Sequence, residues 1–228
     1  MIESVEVVGY GRPASEALAA AIASAKGGDP LSPVTVIVSS NFVGLSARRL
    51  LASGVGARDD DGPLGGANVS FVTPFRLAEQ VGAELLLDRR PITNPVLGAA
   101  VRRVLATDPG PFGPVRQHEA AEEALAALFA ELSNVDDTGL EAILEEGSTA
   151  AELAIRYHRA IATELLGFHT ERDLALESAE HPHLDDRLAP LGRLIWFLPA
   201  PVSPALATFL ARVLRTSAAA TVIVGATG

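Results

Sequence analysis

The run Val34-Thr35-Val36-Ile37-Val38 limits the fold more than any other part of the chain. It reads as a continuous apolar strand, of the kind buried on both faces of a parallel sheet. Parallel neighbours need long crossovers, usually helical, and helical patterns flank this run on both sides. Upstream, residues 4–9 form a short strand with Val5, Val7 and Val8. Gly9-Tyr10-Gly11-Arg12 turns the chain, and Pro13 suits the first turn of a helix over 13–26. Gly27-Gly28 stops that helix. Downstream, Ser39-Ser40-Asn41 caps a helix at 42–53. A glycine-rich loop with Asp59-Asp60-Asp61 follows, then a strand at 68–73 and a helix at 75–82 opened by Pro74. The three aspartates lack the alternating carboxylates of a calcium loop.

From about 93 to 180 the strand signals vanish. Helical periodicity covers 94–107, 117–132, 137–146, 149–166 and 170–179. Strand character returns at Leu194-Ile195-Trp196-Phe197-Leu198, followed by a helix at 203–215 and a strand at 220–224. The order predicts an α/β fold: a parallel sheet with right-handed crossovers, interrupted by an α-helical insertion. The expected boundaries are 1–92 and 190–228 for the core and 93–189 for the insertion. The last residues, Gly225-Ala226-Thr227-Gly228, come where such a unit would turn into its next element, so a longer parent protein is expected.

Composition narrows the function classes. With 48% hydrophobic and 20% charged residues the chain is globular. The absence of cysteine excludes disulfides and thiolate metal sites and fits a reducing cytoplasm. Neither a signal peptide nor a membrane-length apolar stretch is present, so a cytoplasmic protein without membrane contact is expected. A net charge of −10 disfavours a surface that grips nucleic acid throughout, but it leaves room for a local groove. Seventeen of the eighteen basic residues are arginine, as in alanine- and arginine-rich proteins of GC-rich genomes. Any chemistry that needs a lysine must therefore use Lys26.

The opening turn bears on nucleotide chemistry. A phosphate loop reads G-x-x-x-x-G-K-[ST], with a lysine for the terminal phosphates and a hydroxyl for magnesium. Counted from Gly9, those last positions hold Ala14, Ser15 and Glu16. The same residues spell G-x-G-x-x-A through Gly9, Gly11 and Ala14, a dinucleotide fingerprint. The acid that should end the second strand is replaced by Ser39-Ser40. Gly9, Gly11, Arg12 and Ser15 thus form a degenerate phosphate loop. Binding of ATP or NAD there remains an alternative to a purely structural βα turn.

Other polar groups read as structural. His181-Pro182-His183-Leu184-Asp185-Asp186 suits a solvated loop better than a metal cluster. Tyr157, His158 and His169 lie among apolar neighbours. Glu122-Glu123 and Glu145-Glu146 suit solvated helix faces, and no nucleophile-elbow context is present.

The segments VVGYGRPAS, VTVIVSSNFVGLSARRLLA, NVSFVTPFRLAEQVG and RRPITNPVLGAAVRRVL share an order and texture with one family, and so does the helical tract FGPVRQHEAAEEALAALFAELSNVDDTGLEAI. With RYHRAIATELLGFHTERDLALESAEH and the returning strand–helix–strand, nearly the whole chain resembles the N-terminal helicase-like domain of AddB-type subunits. These are UvrD-like relatives in bacterial helicase–nucleases of DNA repair and recombination. The resemblance implies a sheet of P-loop helicase type, single-stranded DNA or a helicase partner subunit as partner, and a PD-(D/E)XK nuclease domain elsewhere in the parent protein. It implies DNA contacts after the second and third strands, at Ser39, Ser40, Asn41, Thr73, Phe75 and Arg76. Phe75 would stack on a base, whereas cap roles for the hydroxyls and core packing for Phe75 are the structural alternatives.

The departures point away from catalysis. The loop lysine is missing, and the strand at 194–198 runs into Pro199-Ala200-Pro201-Val202-Ser203 without the acids that bind magnesium. Lys26 has no carboxylate cluster before it for a nuclease centre. The expectation is a non-catalytic DNA-binding or scaffolding domain without a cofactor. A module that docks a motor subunit is the third reading, and the negative charge suits it.

Overall fold

The computed structural model describes residues 2–54, 67–145 and 147–227. Asp59-Asp60-Asp61 and Glu146 lie outside them. In chain order the first elements are β1 (Ile2–Gly9), α1 (Arg12–Lys26), β2 (Val34–Val38), α2 (Asn41–Ala52), β3 (Val69–Val72) and α3 (Pro74–Gly82). Next come β4 (Arg90–Pro91), α4 (Asn94–Thr107), α5 (Glu119–Leu132), α6 (Asp137–Glu145), α7 (Thr149–Glu164) and β5 (Phe168–His169). The last are α8 (Glu171–Ala179), α9 (Leu184–Leu188), β6 (Arg193–Phe197), α10 (Pro204–Thr216) and β7 (Ala220–Ala226).

The protein is α/β and divides into two compact units, residues 1–85 with 175–228 and residues 86–174. The first unit is built on a five-stranded sheet in the order β1-β7-β6-β2-β3. Every pairing in it is parallel. β2 is buried at all five positions. Val34 sits opposite Val69 of β3 on one side and opposite Arg193 of β6 on the other.

The side chains of β2 alternate between two helical layers. Val34, Val36 and Val38 join Ile195, Phe197 and Ile223 beneath Leu18 and Ile22 of α1 and Ala47 and Leu51 of α2. Gly44 lets α2 approach the sheet closely, because a Cβ there would stand 3.2 Å from Phe71 Cβ and 3.3 Å from Val38 Cγ2. On the opposite face α3, α9 and α10 pack together, burying Leu77 and Val81 with Phe209, Leu210 and Val213. The step β2–α2–β3 crosses the sheet one way over one face, and β6–α10–β7 crosses it the other way over the other face. Both steps therefore have one hand, the right-handed one that twisted strands impose.

Residues 175–189, which the sequence alone puts with the helical block, group with the sheet unit. Ser178, fully buried, donates from its hydroxyl to Ala78 O (3.1 Å), and Gly82 leaves the space it occupies. Helical periodicity shows that such a segment buries a face, but not which unit covers it.

The second unit is helical. Val101, Val104 and Leu105 of α4 meet Leu125 and Phe129 of α5 and Tyr157 and Ile161 of α7. Tyr157, fully buried, donates to Pro109 O (2.8 Å) and sets its ring edge-on to Phe112 at 5.5 Å. Arg102 bridges α4 to α5 through Glu122 at 2.7 Å. β4 and β5 form a two-residue parallel pair, too short to leave a periodic signal. No helix among the described residues is long and apolar enough to cross a membrane.

One polar cluster anchors α9 to the end of α3. Glu84 accepts hydrogen bonds from Arg187 and from His181 Nε2 (3.2 Å). The His183 backbone N–H donates to His181 Nδ1 (3.0 Å), which assigns the proton to Nε2. The Arg187 hydrogen bond, with help from His181, holds the Glu84 carboxyl below its ordinary value. A depressed carboxylate pKa stabilises the fold above the unfolded value, and that contribution fades as pH falls through the folded one. Glu84→Gln should therefore lower the urea midpoint at neutral pH and converge with the parent protein below the ordinary carboxylate range. A midpoint difference that stays constant into acid would contradict this.

Candidate functional site

β1 and β2 follow each other in sequence, yet β7 and β6 lie between them in the sheet. Open parallel sheets bind ligands in the crevice that such an interruption opens at the carboxyl ends of the strands. Here α1 and α2 leave β1 and β2 over the same face, and a cavity of 230 Å³ opens between them. Its walls include Gly11 ahead of α1, Ser15 of α1 and Phe42, Ser46 and Leu50 of α2. Phe197 and Leu198, at the end of β6, form part of its lining. Leu198 holds φ at 48°, a conformation costly for a side chain of its size. Its N–H is tied to Ile223 O at 2.9 Å.

The degenerate phosphate loop lies on this crevice. Gly9 ends β1, and Gly11, at φ 84°, begins α1 without a side-chain cap. Both Gly11 and Ser15 line the cavity. Ser15 turns its hydroxyl back onto Gly11 O (3.1 Å). Arg12, exposed, pairs with Glu16 at 2.7 Å, so the cation of the turn is matched by the acid at the magnesium-ligand position.

Lys26 stands at the other edge of the sheet. Its ammonium donates to Pro30 O (2.7 Å), Ser32 O (3.0 Å) and Ala67 O (2.7 Å), and the residue is 7% exposed. Those carbonyls precede β2 and β3. A strand length, about 3.3 Å per residue, therefore separates Lys26 from the carboxyl-edge crevice. The single lysine closes a backbone junction and offers nothing to a phosphate.

The residues expected to meet DNA are partly brought together. Asn41 and Arg76 line one open depression with Phe71, Glu79 and Gln80. Ser39 is exposed. Ser40 caps α2 by accepting from Val43 N (3.3 Å), and Thr73 caps α3 by accepting from Arg76 N (3.3 Å). Arg76 pairs with Glu79 at 2.7 Å. Phe75 is half-buried.

The aromatic that does face solvent is Phe42, 77% exposed at the mouth of the crevice. Tyr10 follows at 57%, its ring lying over Gly225. Phe42 was missed from the sequence, where the available signal was an aromatic two residues after the Ser40 cap at the end of a buried strand. Periodicity gives the apolar stripe of α2 without saying which residue overhangs its end. Arg48 lies over the Phe71 ring at 5.4 Å.

No group of three metal-ligating side chains occurs among the described residues. His181 and His183 stand 6.3 Å apart by ring centroid, with His181 held by the Glu84 cluster. In the helical unit His158 stacks on Phe129 at 5.3 Å, and its buried Nδ1 has no hydrogen-bond partner among the described residues. Burial, aided by the Arg159 charge, lowers its pKa and favours the neutral ring.

Compared with family models and with curated proteins, the chain matches none.

Two substitutions test these assignments. Lys26→Met should remove three carbonyl partners at once and destabilise the fold by about 3 kcal/mol, read as a drop in urea midpoint. A Tm unchanged from the parent would contradict the buried geometry. Ser40→Ala should cost about 1 kcal/mol through the lost cap of α2, measured by thermal unfolding.

Proposed function

We propose that this chain is a helicase-like α/β domain that holds single-stranded DNA and does not turn over nucleotide, part of an AddB-type repair helicase–nuclease. The observation that carries the reading is Phe42, exposed over an apolar crevice at the carboxyl edge of an interrupted parallel sheet. Single strands are bound by aromatic faces that stack on bases and by cations that follow the backbone. Phe42 and Tyr10 offer the faces. Asn41 offers a polar contact in the neighbouring depression, and Arg76 there would exchange its Glu79 partner for a phosphate.

The sheet order supports a relationship to P-loop helicases. Its first strand is followed by a glycine turn and a helix, and other strands separate it from the second. The crevice argues against ATP or NAD as the occupant. Its described walls carry neither lysine nor arginine, Arg12 is paired with Glu16, and Lys26 lies at the amino edge, none of which favours a triphosphate. Net charge still weighs toward the third reading, a module that docks a motor subunit.

Fluorescence anisotropy with labelled oligo-dT separates these. Affinity should fall as salt rises, with a log–log slope of about −0.7 per phosphate neutralised. Phe42→Ala should weaken binding by about 1–3 kcal/mol with Tm unchanged, because the ring is solvent-facing. Added Mg-ATP should raise neither Tm nor phosphate release. Absence of binding at low salt would reject DNA contact and favour the docking module, and measurable ATP hydrolysis would reject the non-catalytic reading.

A further inference from the structure

Acids are spread through most of this chain, 28 in 228 residues, yet none falls between Asp29 and Asp59. α2 lies inside that gap and holds two arginines, Arg48 and Arg49, and no carboxylate. Acids three or four residues away steady helix cations, as in the pairs Arg12–Glu16 and Arg76–Glu79. Three and four residues from Arg48 and Arg49 stand Gly44, Leu45, Ser46, Leu51, Ala52 and Ser53 instead. Neither arginine enters an ion pair among the described residues.

Burial divides the helix. Gly44, Ala47 and Leu51 face the sheet, whereas Asn41, Phe42, Leu45, Arg48 and Arg49 are exposed. Residues seven apart return to nearly the same side after two turns, about 10 Å along the axis. Asn41 is therefore in line with Arg48, and Phe42 with Arg49. Arg48 is also held in place, its guanidinium over the Phe71 ring at 5.4 Å. Gly44 keeps α2 close enough to Phe71 for that contact. Phe71 in turn lines the depression that Asn41 shares with Arg76. A guanidinium stacked on a ring keeps its N–H donors for another partner and has less freedom to lose on binding it.

Charge complementarity specifies the occupant. Unpaired guanidinium groups side by side suit an anionic polymer, and the planar fork of arginine fits phosphate oxygens with two donors. An aromatic face at one end of the row suits a base. Phosphates with unpaired bases beside them are a single-stranded nucleic acid. We infer that the outward face of α2 tracks the phosphodiester backbone of a single strand. Arg48, held on Phe71, and Arg49 each donate to a phosphate, and Phe42 stacks on a base of the same strand. This rests on the single-stranded DNA reading above, and it gives that reading two cations that need not give up a carboxylate. The net charge of −10 repels the strand from most of the remaining surface and so confines it to this helix.

Anisotropy of labelled oligo-dT on the full chain, read across a salt series, tests the assignment. Arg48→Gln and Arg49→Gln should each flatten the log–log salt slope by about 0.7, and the double variant by about 1.4. Phe42→Ala should weaken binding at every salt concentration and leave the slope as it is. Arg103→Gln removes the same charge beside Glu164 in the helical unit and should leave both slope and affinity unchanged. DNA binding whose slope survives the double substitution overturns this inference and leaves the DNA reading standing. Equal flattening by Arg103→Gln overturns it as well, because the effect would then belong to net charge. No binding of oligo-dT at low salt overturns this inference together with the reading beneath it. A poly-glutamate peptide that binds in its place, and loses affinity in the double variant, would assign α2 to an acidic protein partner.

Discussion

Two strands from the end of the chain, β6 and β7, lie between the two that begin it, β1 and β2. That interposition sets the spacing of α1 and α2, which leave β1 and β2 over one face. α1 packs over β7 and β6 and meets α2 there. The cavity opens between the two helices, and the end of β6, at Phe197 and Leu198, lines it. Without β6 and β7 in place, β2 would lose a pairing partner and the crevice its lining. The carboxyl edge therefore depends on contacts between residues more than 150 positions apart, as in the pairing of Val38 with Phe197.

A second theme is where the polar groups are spent. Ser40 and Thr73 sit at strand ends where a ligand could be met, and both accept from a backbone N–H of the helix that follows, because helix starts leave such groups without partners. Ser15, in the first turn of α1, instead donates its hydroxyl back to Gly11 O. Lys26 donates as well, closing three carbonyls at the amino edge. What remains outward at the carboxyl edge is aromatic, Phe42 and Tyr10, while Arg12 and Arg76 are paired with Glu16 and Glu79.

Much of the fold was legible. The buried run at 34–38 required a parallel sheet, and glycine and proline marked the ends of α1 and the starts of α3 and α10. Less of the site was legible. Ser40 and Thr73 have side chains that suit a cap and a DNA contact equally well, and only the bond each makes distinguishes them. Phe42 and Phe75 look alike in sequence, each next to a cap, yet Phe42 overhangs solvent and Phe75 is half-buried. The difference arises from what lies over each helix, which local periodicity does not carry. The grouping of 175–189 with the sheet escaped for the same reason.

The amino-acid order alone determined the longer strands and helices, though not β4, β5 or α9, that the main strands run parallel, and that a lysine-dependent phosphate site has no candidate besides Lys26. Those properties follow from local periodicity, backbone preferences and a residue count, and each is decided within a few residues. Tertiary structure decided the strand order, the crevice, the burial of Lys26 at the far edge of the sheet and the placing of Arg48 over Phe71. Each of these depends on which distant segments pair and pack, and pairing energy is shared between residues that no short window contains.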